Sequence, residues 1–127
     1  MVIVLTLLVG IFFAGMGLVA LVVPERISAT FGTPTLTPAG RNEVRAVYGG
    51  FGVAVAGLLF AAPVLPTLAP GIYLTVALAL GGMAAGRVVA AAVESPRGFY
   101  PAWFYCGLEV VMAAILLLAA GSVGINP

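Results

Sequence analysis

Four long apolar stretches constrain this chain more than anything else in it. Val2 to Val23 is one uninterrupted run, and Val44 to Ala62 is a second. Gly71 to Val93 carries Arg87 as its only charge, and Ala102 to Ala120 carries only Glu109. A helix needs about 20 mostly apolar residues to cross a bilayer. Backbone polar groups in lipid must be satisfied within a helix or in a closed barrel. The runs are too long, and too free of apolar/polar alternation, for barrel strands. The expected fold is therefore all-α: a polytopic membrane protein built as a four-transmembrane-helix bundle. Residues 1–127 would form one domain, with helices at about 2–23, 38–62, 71–93 and 102–120.

Composition agrees. Hydrophobic residues make up 63% of the chain and charged residues 7%, against about 45–50% and 25% in soluble domains. Five bases and four acids cannot cover a globular surface in water, which excludes soluble enzymes. The bases are all arginine (Arg26, Arg41, Arg45, Arg87, Arg97) and the acids all glutamate (Glu25, Glu43, Glu94, Glu109). Without histidine, zinc, haem and imidazole catalysis lose their usual ligand or base, so no metal or cofactor is expected. A net charge of +1 offers no footprint for nucleic acid. Cys106 reads as a small packing residue. No basic segment precedes the first apolar run, as a cleavable signal would require.

The connections punctuate the runs. Pro24 to Phe31 suits a short interfacial helical turn ending at Gly32. Thr37-Pro38 is a helix start, a hydroxyl N-cap followed by proline at the first helical position. Pro63, Pro66 and Pro70 form a short apolar turn, and Ser95-Pro96-Arg97-Gly98 forms the third. Phe99, Tyr100, Trp103, Phe104 and Tyr105 then read as an interfacial aromatic belt. Arg26, Arg41 and Arg97 flank the first and third loops. The positive-inside rule therefore places those loops in the cytoplasm and both termini outside.

Two charges lie deep. Arg87 is six residues before Val93, and Glu109 is seven after Ala102. At 1.5 Å per residue both sit roughly 9–10 Å inside the same boundary. Helices three and four are joined by a short turn, so an Arg87–Glu109 ion pair is geometrically easy. Arg45 and Tyr48 share that end of the bundle, with Arg41 on the same helix face and Glu43 about 160° away. The candidate polar cluster is therefore Arg45, Tyr48, Arg87 and Glu109, with Arg41, Glu43 and Glu94 secondary.

Three readings stand open. The cluster is a structural clamp, with Arg45 snorkelling to headgroup phosphates or Arg87 pairing instead with Glu94. It is a pocket for an amphipathic ligand such as a lipid headgroup, a quinone or an isoprenoid. Or it is a proton or ion relay, with Glu109 cycling its protonation. Small residues at helical spacing add packing candidates: Gly82, Gly86 and Ala90; Gly50 and Ala54; Gly49 and Gly57; Gly10 and Ala14. In lipid, close backbone approach is what holds helices together. Gly49 and Gly50 belong to no dinucleotide loop, because no strand precedes them.

The stretch Thr37-Pro38-Ala39-Gly40-Arg41-Asn42-Glu43-Val44-Arg45-Ala46-Val47-Tyr48-Gly49-Gly50, together with Gly86-Arg87 and Glu109 22 residues later, carries a resemblance. It resembles the signature of an uncharacterised family of small bacterial four-helix membrane proteins, a domain of unknown function loosely similar to DoxX-like proteins. The resemblance covers nearly the whole chain. It implies a bacterial inner-membrane protein and brings no activity with it. Loops too short for a catalytic domain favour a non-enzymatic accessory subunit of a larger membrane complex, or a binder of a lipid-like ligand. A membrane enzyme would need Glu109 as acid or base and Arg45 and Arg87 as supports. A transporter is disfavoured by uncharged outer halves. The expected partner is the bilayer itself, with a homo-oligomer as a minority reading of the small-residue ladders.

Overall fold

In the computed structural model, described over residues 1–33, 36–95 and 98–124, every regular element is helical. The first apolar run forms α1 (Val2–Val22). Pro24 then opens a short helix, α2 (Pro24–Thr30), as expected from its fixed φ at a first-turn position. The chain leaves α2 through Gly32 at φ +79°, a left-handed conformation natural to glycine.

The second span runs from Pro38 to Val64 and is not uniform. Thr37 caps its start, its hydroxyl accepting from the Gly40 amide at 3.1 Å, with Pro38 in the first turn. Next come α3 (Pro38–Val44), a π-helical turn (Arg45–Gly50) and α4 (Phe51–Ala61), followed by a 3₁₀ turn (Ala62–Val64) that contains Pro63. Within the π turn the hydrogen bonds reach back five residues instead of four. The Phe51 amide donates to the Ala46 carbonyl.

The third span is α5 (Ala69–Glu94) and the fourth is α6 (Ala102–Gly124). Pro70 was expected in the preceding turn and instead lies in the first turn of α5. It is tolerated there because a first-turn amide has no helical partner to lose. Ser95 closes α5 in the left-handed conformation, at φ 47°. The third-loop expectation falls partly on Pro96 and Arg97, outside the described residues, as does Pro34 of the first loop. The Tyr100–Pro101 peptide is cis.

The chain forms two compact units. One comprises residues 7–61; the other comprises residues 1–6 with 62–127. In the first, α1 meets the second span through glycine. A Cβ at Gly17 would lie 2.9 Å from the Val53 nitrogen and 3.0 Å from the Gly49 oxygen. A Cβ at Gly49 would lie 2.7 Å from a Leu21 methyl. Such contact distances leave no room for side chains, as expected where packing alone holds helices in lipid.

In the second unit α5 and α6 pack side by side. Each carries a buried stripe at three- and four-residue spacing: Tyr73, Val76, Ala77, Leu80 and Ala84 on α5, and Cys106, Glu109, Met112, Leu116 and Ala119 on α6. Large apolar side chains such as Leu78, Val89, Val111 and Leu118 point outward. Outward apolar faces on spans of this length place the protein in a lipid bilayer as a multi-pass membrane protein.

Candidate functional site

Glu109 interrupts an otherwise apolar buried stripe, and it is itself only 3% exposed. An isolated carboxylate there would be very costly. Its partner comes from α5. Arg87 lies three residues beyond buried Ala84, so it continues the buried face of its helix. Its Nε donates to both carboxylate oxygens of Glu109 at 2.9 Å, and a terminal nitrogen donates to Oε1 at 2.8 Å. Short charge-assisted bonds of this forked kind are among the strongest side-chain contacts.

Tyr105 completes the arrangement. Its ring centroid is 5.5 Å from the Arg87 guanidinium carbon, within cation–π range. It stands one helical turn before Glu109, so the same face of α6 gives Arg87 both a carboxylate and a ring. Tyr105 belongs to a chain of aromatic contacts, with Phe104 at 5.3 Å and Tyr100 at 6.1 Å between centroids. One residue beyond Tyr105, the Cys106 thiol lies 3.8 Å from the Ala84 carbonyl. Reading Tyr105 only as a belt residue missed its second role. The i, i+4 spacing to Glu109 was the available signal.

Arg45 and Tyr48 belong to the other unit. Arg45 Nε donates to the Leu21 carbonyl at 2.9 Å. That carbonyl is in the last turn of α1 and would otherwise lack a helical donor, so the arginine caps the helix end. Tyr48 is half-buried and makes no side-chain hydrogen bond among the described residues. Arg41 donates to the Leu36 carbonyl at 2.8 Å and lies 3.8 Å from Glu25. Glu43 and Glu94 are exposed, and Arg87 meets the carboxylate of Glu109.

The expected packing glycines separate in the same way. Gly49 sits against Leu21, whereas a Cβ at Gly50 would meet only the Arg45 carbonyl, at 3.8 Å, and one at Gly82 or Gly86 would meet open space. Spacing alone did not reveal which face of a helix has a neighbour. Among the described residues no buried side-chain nitrogen or oxygen lacks a partner, and no group of three metal-ligating side chains comes together.

The chain belongs to the DUF4345 family, a domain of unknown function, whose model matches residues 2–120. No curated protein and no solved structure shows significant similarity to it.

Proposed function

We propose that this member of the DUF4345 family is a non-enzymatic accessory protein of the bacterial inner membrane, a single four-helix domain that works beside a larger membrane complex. In this reading Arg87 and Glu109 are a clamp between α5 and α6, and Arg45 is a clamp between α1 and the second span. One observation carries the reading. Glu109 spends both oxygens on Arg87 within 2.9 Å, which ill suits a general acid or base that must exchange a proton with substrate. The arginines near the first and third loops support cytoplasmic loops and extracytoplasmic termini. The sequence likeness to DoxX-like proteins belongs to the same proposal.

Native mass spectrometry of the protein released from gentle detergent tests it. A partner protein retained at fixed stoichiometry is the expected result. A chain that keeps no protein partner and chemically converts a quinone, isoprenoid or phospholipid would overturn it.

A further inference from the structure

Arg41 and Arg45 pose an electrostatic problem that the protein does not itself resolve. They stand one helical turn apart, and like charges at that spacing repel. Arg41 nevertheless reaches the Leu36 carbonyl and the Glu25 carboxylate, and Arg45 reaches the Leu21 carbonyl. Arg45 is thus held against the last turn of α1, and Arg41 lies beside Glu25 in the first turn of α2. Each spends a single N–H on a backbone oxygen, which fixes its position without neutralising it.

The acids nearby do little. Glu25 lies 3.8 Å from Arg41 Nε, with the two side chains 48% and 34% exposed. That is too long for a hydrogen bond and too wet for a strong ion pair. Glu43 projects about 160° away from Arg45 around the helix. Arg26 on α2 is exposed and has no side-chain partner among the described residues. The unit therefore holds three arginines against two glutamates, with the remaining donors of Arg41 and Arg45 unmatched among the described residues.

Depth identifies the class of ligand. Pro38 opens the span, so Arg41 and Arg45 lie roughly 4–5 and 10–11 Å along its axis. Long arginine stems at that depth bring their heads to the headgroup layer. The guanidinium fork matches a phosphate in two-point geometry better than it matches a point charge. We propose that Arg41 and Arg45 form a binding site for a phosphate group, whether on an anionic lipid headgroup or as the free anion. The proposal does not rest on the accessory role: it needs only the positions and charges of Arg41 and Arg45, not a protein partner.

The test uses the full chain in detergent, with phosphatidylglycerol, phosphatidylcholine and inorganic phosphate as separate probes, read by native mass spectrometry and by titration. The expected result is retention of phosphatidylglycerol over phosphatidylcholine, weakened about tenfold or more in R41Q/R45Q. R41K/R45K should bind more tightly than the glutamine pair, because it keeps both charges. Displacement of the lipid by millimolar phosphate, lost in the same variants, supports the site and assigns it to the free anion. Resistance to phosphate supports it and assigns it to the lipid. R41Q alone leaves the Arg45–Leu21 bond in place and carries the test if the double variant does not fold. Equal retention of both lipids, or binding unchanged in the arginine variants, would overturn the proposal.

Discussion

Replacing Glu109 with glutamine keeps the shape of the side chain and removes its charge, leaving Arg87 beside a neutral amide. Removing one partner of a buried ion pair costs about 3–5 kcal/mol, mostly because the other charge is left uncompensated. Glu109 is almost fully enclosed, but the Arg87 side chain keeps 22% of its exposure, and the amide oxygen still accepts one bond. The lower end of the range applies, about 3 kcal/mol, or a little over a hundredfold in the unfolding equilibrium. The assay is reversible unfolding in mixed micelles, followed by helicity. The companion variant removes both charges. Arg87→Ala with Glu109→Ala should cost less than either single alanine change, because no unpaired charge remains. Unaltered stability of Glu109→Gln, or a double variant less stable than both singles, would refute the clamp.

Two further outcomes separate contacts that look alike in sequence. Gly17→Ala should destabilise by about 1–3 kcal/mol, since its Cβ would strike the Val53 backbone at 2.9 Å; Gly86→Ala, facing open space, should be neutral or gain up to about 1 kcal/mol from helix propensity, and thermal melts in detergent distinguish the two. Tyr105→Leu should cost about 0.5–2 kcal/mol in wild type and much less in an Arg87→Ala background. An equal cost in both backgrounds would show that the ring packs without engaging the guanidinium.

The spans were legible because hydropathy acts over whole helices. Thr37-Pro38 was legible because an N-cap and a fixed φ are local chemistry, and equal depth was enough to bring Arg87 to Glu109. The partner of Arg45 was not legible. It is the backbone carbonyl of Leu21, and every residue has such a carbonyl. The π turn left no trace in composition either, since moving each hydrogen bond by one residue changes no side chain. Gly82 and Gly86 show the opposite case: a regular small-residue spacing appears where, among the described residues, an added Cβ would meet nothing within 4 Å.

The π turn at Arg45–Gly50 also sets the phase between two halves of one span. Upstream lie the Thr37 cap and Arg41; downstream lie Gly52 and Val53, pressed against α1. Deleting one residue inside the turn would let ordinary helical bonding run straight through, with little loss of backbone pairing. It would also rotate the upstream half by roughly 100° relative to the downstream half. Arg41 would swing away from Glu25, while the contacts of Gly52 and Val53 with Gly17 of α1 stayed where they are. The extra residue in that turn thus works as a spacer that aims the charged, headgroup-level segment independently of the lipid-level segment below it.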